Sequence, residues 1–292
     1  MRATIAICTW NPADSVIRAV TTAINQLHPS FEVVVVDDGS DDPVSGVLRS
    51  VEDEKYRIIS QKHAGLNAAR NRAIGETQAE FIAFLDDDEE AAPDWLAELD
   101  AAMRRHPEAC CIGGPMVAPD LPTPRTCERC SLRDGERDLG EPERQVDRAI
   151  GGNMAMPRWA FERVGLFDER IPCCIGDDDE WMRRAEVLGL PIVHAPAARV
   201  LHLREPDDYR LRALALRRWR NSRQIAVYHR LLGVPAPESI RGAPRGLAHG
   251  FRYRCWAGVL NAFGSAAVSL WTTWLRVSIQ SNRSQPAPTH ER

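Results

Sequence analysis

Two short apolar runs in this chain each end in acidic residues, and this pattern constrains the fold more than any other feature. The run Val33–Val36 is followed by Asp37 and Asp38, and the run ending at Leu85 is followed by three aspartates at 86–88. Continuous apolar runs of this length are typical of strands buried on both faces of a sheet. Adjacent carboxylates repel each other, which favours a divalent cation beside them; a solvated loop is the alternative.

Strand and helix patterns alternate over the first 116 residues, which predicts an α/β fold with a mostly parallel central sheet and right-handed crossovers. Ligands of such sheets bind beyond the carboxyl ends of the strands, so both acidic clusters are expected to face one crevice. Strands are predicted at 3–9, 31–36, 56–60, 80–85 and 109–116. Helices are predicted at 14–27, 43–51, 67–74 and 93–105.

The 292 residues suffice for one large domain with an appendage, and 44% hydrophobic with 27% charged residues are typical of a soluble globular protein. We expect the main domain over 1–203, with 117–149 as an extended loop or lid because that segment lacks periodicity. Residues 204–280 are predicted to form an arginine-rich helical C-terminal region. Residues 281–292 are predicted to be disordered.

The C-terminal region combines positive charge with an apolar span. The net charge of −4 gives no overall attraction to nucleic acid, and we expect no nucleic-acid partner, but twelve arginines fall within 204–254. The apolar span 256–275 contains three tryptophans, which favours an amphipathic helix on a membrane surface; a helix packed on the main domain is the alternative. Because the N-terminus has no secretory signal, the expected location is cytoplasmic, peripheral on the inner face of the cytoplasmic membrane.

The chain contains eight cysteines, and Cys127 and Cys130 form a CxxC pair. One such pair without a second is weak evidence for zinc. Ordinary reduced thiols are the preferred interpretation, with a structural metal or a disulfide as the alternative.

Six motifs together resemble a bacterial-type, inverting family 2 glycosyltransferase with the GT-A fold, over about residues 3–203. They are TWN at 9–11, VVDDGSDD at 35–42, HAGLNAARNRAI at 63–74, FLDDDEE at 84–90, GGNMAMPRWAFERVGLFDE at 151–169 and GDDDEWMRRAEVLG at 176–189. The resemblance implies a Rossmann-like GT-A domain over 1–203 with 117–149 on the acceptor side. It also implies a nucleotide-sugar donor, most often UDP-linked, and Mg²⁺ or Mn²⁺ as cofactor.

The resemblance assigns a nucleotide-binding group to the first three motifs. It implies that Asp38 reads the nucleobase with Thr9 nearby, that Asn11 also binds the nucleotide sugar, and that Arg70 lies against the nucleotide. The guanidinium fork suits phosphate or base-edge acceptors, while a surface salt bridge is the structural alternative for Arg70. For Asp37, a turn or helix-capping role is as good an interpretation as ligand contact.

The fourth motif supplies the metal and donor residues. The resemblance implies that Asp86 approaches the ribose and the metal shell, and that Asp88 ligates Mg²⁺ or Mn²⁺ on the diphosphate. Asp87 is a secondary nucleotide-sugar residue because its side chain would alternate away from the other two. His202, at a predicted strand end, is an additional candidate metal ligand; a structural histidine is the alternative.

The last two motifs supply the acceptor side. The resemblance implies that Asp178 is the catalytic base, with the acid-rich start of a helix as the alternative explanation of this cluster. Asp177 stands where the family more often has Glu. The resemblance implies that Gly152 lines the donor sugar and Asn153 the acceptor side, both through backbone contacts; a simple tight turn is the alternative. Stacking of Trp181 on a sugar ring is one interpretation, but packing inside the protein is favoured because this aromatic residue lies in a predicted helix.

The sequence therefore predicts a metal-dependent inverting glycosyltransferase that moves a sugar from a UDP-sugar to a glycan, lipid-linked or natural-product acceptor. A sugar-1-phosphate nucleotidyltransferase is an alternative, but the first strand is followed by CTWNPADS rather than a glycine-rich loop with Arg and Lys. A catalytically silent nucleotide-sugar-binding protein is a second alternative. Four aspartates that catalysis would need argue against it, namely Asp38, Asp86, Asp88 and Asp178.

Overall fold

The computed structural model describes residues 1–51, 53–119, 138–171, 177–231, 247–248, 251–252 and 254–283. Within these ranges, the side chains of residues 258 and 273–283 are not described. The predictions for Cys127 and Cys130, and for most of the 117–149 loop, lie outside the described residues. The compact unit that contains the site ends at Arg204, and the residues from Glu205 onward belong to a second unit.

Eleven strands and eight helices are described below, apart from two short 3₁₀ turns at Leu48–Ser50 and Pro206–Tyr209. The strands are β1 (Ala3–Thr9), β2 (Phe31–Asp37), β3 (Tyr56–Ser60), β4 (Phe81–Leu85), β5 (Glu89–Ala91), β6 (Cys111–Gly113), β7 (Met116–Val117), β8 (Arg144–Val146), β9 (Asn153–Pro157), β10 (Ile192–His194) and β11 (Val200–His202). The helices are α1 (Ser15–Ile24), α2 (Val44–Val47), α3 (Leu66–Gly75), α4 (Trp95–Arg105), α5 (Arg158–Val164), α6 (Asp177–Val187), α7 (Leu211–Leu231) and α8 (Trp256–Arg283).

The main sheet has the strand order β3-β2-β1-β4-β9-β6-β10-β8. Strands β1 to β4 pair in parallel, whereas β9 runs antiparallel to both β4 and β6. The predicted mostly parallel sheet with flanking helices is therefore confirmed. Because Thr9 lies opposite Asp37 in the register, the carboxyl ends of β1 and β2 lie side by side at one edge.

Helices cover both faces of this sheet, and the strand residues alternate between them. Ile5 and Val33 point into a core shared with α1 and α4, while Ala6 and Val34 point into a core shared with α3, α5 and α6. Apolar residues on both faces explain why the strands read as continuous apolar runs. Full burial of a side chain as large as Trp95 contributes roughly 1.5–3 kcal/mol to this packing.

A second, three-stranded sheet has the order β5-β11-β7. Strands β5 and β11 are antiparallel, and their register places His202 opposite Glu89. This pairing brings the end of β11 to the acidic turn that follows β4, although the two segments are more than one hundred residues apart in the chain.

Three predicted elements differ in extent from the structure. The strand predicted over 109–116 is interrupted between β6 and β7, because Gly114 packs directly against the Ala198 carbonyl and Pro115 has no amide hydrogen to pair. The predicted 117–149 loop contains strand β8, which pairs with β10. Helix α8 extends to Arg283, so the first residues of the predicted disordered tail are helical.

The described residues from Glu205 onward are mainly helical, as predicted. Helices α7 and α8 pack against each other, and their core includes Tyr209, Leu214, Cys255 and Leu260. Within the part of the chain that the structure describes, no helix has the length and apolar character needed to cross a membrane.

Candidate active site

The acidic turn after β4 is held to the neighbouring strand β1. The Asp86 amide donates a hydrogen bond to Glu89 Oε2 at 3.2 Å, and the Glu89 amide donates to the Asp86 carbonyl at 3.3 Å. The Thr9 hydroxyl, at the end of β1, donates to the Asp87 carboxylate. Thr9, which the resemblance places near Asp38, therefore also contacts the acidic turn through Asp87.

The carboxylates of this turn differ in acidity. Burial raises the pKa of Asp86 to about 6, and the positive charge of Arg70 only partly offsets that effect. Burial also raises the pKa of Asp87 to about 6, against the hydrogen bond from Thr9. Burial and the neighbouring aspartates raise the pKa of Glu89 well above its usual range. Such crowded carboxyl groups ionise readily only when positive charge is supplied beside them.

Asp88 is the exception, because it has positive partners. Burial alone would raise its pKa, but the hydrogen bond from His202 and the charges of His202 and Arg204 lower it below the usual value. His202 Nε2 lies 3.1 Å from Asp88 Oδ2, and Arg204 Nη1 lies 3.6 Å from the same oxygen. Asp88 is therefore the carboxylate of this turn that is held in the charged form.

Arg70 connects the acidic turn after β4 with the acidic residues at the start of α6. This side chain is 3% exposed, forms an ion pair with Asp177, and lies over the rings of Phe84 and Phe167 at 5.8 and 5.4 Å. Burial alone would lower the pKa of Arg70, but the charges of Asp177, Asp86 and Asp178 raise it. The guanidinium thus remains charged between the end of β4 and the start of α6. Because Arg70 and Asp177 are both buried, their ion pair is not a surface salt bridge.

Two adjacent glycines lie between the acidic turn after β4 and the acidic start of α6. A β-carbon on Gly151 would lie 2.7 Å from Arg70 Nη2 and 3.1 Å from Asp178 Oδ2. A β-carbon on Gly152 would meet the Glu89 carboxylate and would lie 2.7 Å from Asp86 Oδ2. Asp178 and Asp86 therefore approach the same two-residue segment, and only glycine leaves room for both.

Asp178 has the acidity expected of a general base near neutral pH. Burial and the charge of Asp177 raise its pKa to about 7, while Arg70 acts in the opposite direction. Asp178 Oδ1 accepts a hydrogen bond from the Asp179 amide at 2.9 Å, and Asp179 itself pairs with Arg148 at 3.2 Å. A base whose pKa is close to the working pH combines the correct protonation state with useful proton affinity.

The loops after β1 and β2 lie at the same carboxyl edge of the sheet, next to the acidic turn after β4. The Asp38 carboxylate accepts hydrogen bonds from the Gln61 amide group and from the Ala64 and Gly65 amides, at 2.7, 3.0 and 2.8 Å. Asp38 therefore holds the loop before α3, a structural role that sequence reasoning missed. Its predicted contact with a nucleobase stays a prediction.

Two neighbouring residues stabilise the same loops. Asp37 accepts the Ser40 amide at 2.9 Å and the Val44 amide at 3.3 Å, which is the turn role given as its alternative. Asn11 exchanges hydrogen bonds with Asp41, from its own Nδ2 at 3.0 Å and from the Asp41 amide at 2.7 Å. The ends of β1 and β2 are thus joined into one surface.

Two residues predicted on the acceptor side are core residues. Asn153 is fully buried; its amide group donates to the Pro115 and Ala198 carbonyls and accepts from the Trp95 indole. Trp181 is also fully buried, and its indole donates to the Gly165 carbonyl at 2.7 Å. For Trp181 this is the packing role that the sequence favoured, and the backbone contact implied for Asn153 on the acceptor side stays a prediction. The third such residue, Asp177, is paired with Arg70 inside the protein.

Glu89 was not among the predicted site residues. It is fully buried, and its Oε1 atom has no hydrogen-bond partner among the described residues. Its position directly after the three aspartates was a signal in the sequence. Its burial at the start of β5 could not be predicted from that position. His202 Nδ1 is likewise buried without a partner in this part of the chain.

The donor atoms near Asp88 fit a hard divalent cation. Asp86 and Asp88 carry carboxylate oxygens of the kind that such cations bind, and His202, whose Nε2 lies 3.1 Å from Asp88 Oδ2, carries ring nitrogens. Within the described ranges, no group of three or more His, Cys, Asp or Glu side chains is already arranged to hold a metal ion. Cations that are shared with substrate phosphates need only one or two protein carboxylates, so the donor set is compatible with that mode of binding.

The fold and the site together define a GT-A-like glycosyltransferase. A solved structure of GalNAc-T7 with UDP, GalNAc and Mn²⁺ superimposes with a TM-score of 0.61, at 14% identity, over 98% of this chain and 58% of that chain. Residues 4–165 match the sequence model of the family named glycosyl transferase family 2. The chain belongs to this family.

Two curated relatives show the range of the family. A glucosyl-dolichyl phosphate glucuronosyltransferase from Haloferax volcanii is 25% identical over 224 residues, which cover 69% of each chain. The succinoglycan biosynthesis protein ExoO from Rhizobium meliloti is 35% identical over 97 residues, 33% of this chain and 28% of that protein. The aligned part therefore spans less than a third of ExoO.

Proposed function

We propose that this glycosyltransferase transfers a sugar from a nucleoside diphosphate sugar, with UDP favoured, to an acceptor hydroxyl, with inversion and with a divalent metal. The observation that carries the proposal is the glycine pair at 151–152, which has Asp178 on one side and Asp86 on the other. The UDP and Mn²⁺ that accompany GalNAc-T7 in its solved structure support the donor and the metal.

On the donor side, Asp86, Asp88 and His202 are the residues that would hold Mg²⁺ or Mn²⁺. When bound, the metal neutralises the charge that develops on the departing diphosphate. Asp88 is held ionised by His202 and Arg204, and this makes it the first carboxylate available to a cation. Arg70 adds a fixed positive charge behind Asp86.

On the acceptor side, Asp178 takes the proton of the acceptor hydroxyl as its oxygen attacks the anomeric carbon. Attack from the face opposite the departing diphosphate inverts the configuration, so base and metal must lie on different sides of the sugar. The approach of Asp178 and Asp86 to adjacent glycines supports a shared site in which the base and the metal-binding carboxylates are different residues. The pKa of about 7 lets Asp178 accept and release the proton near neutral pH.

The names of two relatives support one class of acceptor. Glucosyl-dolichyl phosphate appears in the name of the Haloferax protein, and succinoglycan biosynthesis in that of the Rhizobium protein. A glycan or lipid-linked glycan is thus favoured over a natural product for this chain, and residues 117–149 remain the segment where we expect acceptor choice to be made.

The test is consumption of UDP-, GDP- and dTDP-sugars by the full chain with Mn²⁺ or with chelator. We expect Mn²⁺-dependent release of nucleoside diphosphate, which Asp88→Ala abolishes and which the matched control Asp94→Ala, at an exposed acid, leaves intact. Consumption of a nucleoside triphosphate with sugar 1-phosphate would instead indicate a nucleotidyltransferase. Donor binding without turnover would indicate a silent binding protein.

A further inference from the structure

The second unit has a charge distribution unlike that of the rest of the chain. Between Leu211 and Arg283 the sequence contains twelve arginines, no lysine and a single acidic residue, Glu238. The whole chain carries a net charge of −4, so this region concentrates positive charge in an acidic protein. A surface of this kind attracts polyanions.

Helix α7 exposes one face, which combines arginine with large apolar side chains. At 100° per residue, its exposed residues fall within about 120° of the helix circumference. The buried residues Leu214, Ser222, Ala226 and Tyr228 lie on the remaining arc. The exposed set consists of Arg212, Leu216, Trp219, Arg220, Arg223, Arg230 and Leu231.

Helix α8 exposes a face that is apolar. Trp256, Phe263 and Leu270 recur every seven residues, so they lie along one side of the helix, with the exposed Ala266 beside them. These three large side chains are 43%, 42% and 62% exposed. A row of this size is unfavourable in water and marks a surface that meets another apolar phase.

The two faces join into one continuous surface. The Trp219 ring of α7 lies 6.2 Å from the Phe263 ring and 5.3 Å from the Trp271 ring of α8. The Arg223 guanidinium lies 5.6 Å above Trp271. The arginines of α7 and the apolar row of α8 therefore flank a shared aromatic seam, and we call the whole the arginine–aromatic surface.

We propose that the arginine–aromatic surface docks this protein on an anionic phospholipid bilayer. The apolar row of α8 enters the head-group boundary, the tryptophans lie at that boundary, and the arginines of α7 bind lipid phosphates. A second copy of the chain is the less suitable occupant, because a two-fold interface would bring the same arginines face to face. Docking of this kind does not depend on the transfer reaction.

The experiment is flotation of the full chain with neutral phosphatidylcholine vesicles and with vesicles that contain about 30 mol% phosphatidylglycerol. We expect binding to the anionic vesicles alone. The double variant Arg212→Glu/Arg220→Glu should weaken it by at least about thirtyfold, from the attraction that each arginine contributes near such a surface. The matched control, Arg49→Glu/Arg183→Glu, changes two exposed arginines of the other unit and should bind like the wild type.

Two further measurements keep the test decisive if the double variant melts early. Leu270→Gln should weaken binding without a change of charge, and about 0.5 M NaCl should release the wild-type chain. Equal binding by the α7 variant and its control, equal binding to neutral vesicles, or binding unaffected by salt would each overturn the proposal. Loss of a solution dimer in the α7 variant, without vesicle binding by the wild type, would assign the surface to a second copy.

Discussion

The substitution Gly152→Ala adds one methyl group at the segment that Asp86 and Asp178 both approach. It therefore tests whether this close approach matters for the reaction. The new β-carbon would lie 2.7 Å from Asp86 Oδ2, so this oxygen would have to retreat by about 0.7 Å to reach an ordinary contact of 3.4 Å. The same β-carbon would meet the carboxylate of Glu89, which is fully buried, even more closely. The strain therefore falls on both carboxylates, one of which, Asp86, we place beside the metal and the donor.

The magnitude follows from the displacement. A misplacement of about 1 Å in a catalytic site costs roughly a hundredfold in rate, so we expect kcat/KM to fall by about 30- to 100-fold, or about 2–3 kcal/mol of transition-state stabilisation. Initial rates of UDP-sugar turnover with Mn²⁺ would measure the loss, and a thermal melt would show that the variant is folded.

The matched control is Gly75→Ala. A β-carbon there meets nothing within 4 Å, and the position is the last residue of α3, where alanine is well tolerated. If Gly152→Ala kept kcat/KM within about threefold of this control, the glycine would not separate working carboxylates and the reasoning would fail.

Three further predictions concern the same cluster. Arg70→Met leaves Asp177 unpaired inside the protein and should cost about 3–5 kcal/mol in urea unfolding, against less than about 1 kcal/mol for Arg72→Met at an exposed pair; equal losses would contradict the buried ion pair. The folded-state pKa of Asp86 is raised to about 6, so its contribution to stability is complete below the unfolded pKa and is lost as pH rises through 6. Without metal, Tm should therefore be lower at pH 8 than at pH 5, and Mn²⁺ should restore it. A Tm that changes neither with pH nor with Mn²⁺ would refute this. His202→Ala removes the hydrogen-bonded partner of Asp88, leaves only the more distant Arg204, and should weaken calorimetric Mn²⁺ affinity in the presence of UDP by about tenfold or more, whereas unchanged affinity would leave His202 a structural residue.

The sequence predicted the elements that position the site because their signals are local. An apolar run such as Val33–Val36 can hardly be anything but a buried strand, and the acids that follow it must then lie at a sheet edge. The approach of Asp86 and Asp178 to a common segment follows from that topology together with the family motifs.

Burial and pairing were harder to predict, because they depend on what the rest of the chain places nearby. Asn153 and Trp181 sit in the motifs that carry the chemistry, yet their polar atoms are used by carbonyl groups of the core. Glu89 is an acidic residue of the kind usually found at the surface, yet it is fully buried, paired with β11 and close to Gly152. Neither fact has a signature in the local pattern of residues.

The central claim is that Asp178 draws off a proton while other carboxylates bind the metal and donor. The most direct test is Asp178→Asn, with the transfer rate and the donor Kd measured on the same preparation and Asp179→Asn as the matched control on the same helix. We predict that Asp178→Asn lowers the rate by at least about a hundredfold while the donor Kd stays within several-fold, and that Asp179→Asn changes neither strongly. Transfer retained within about tenfold by Asp178→Asn, or loss of donor binding in its place, would contradict the claim.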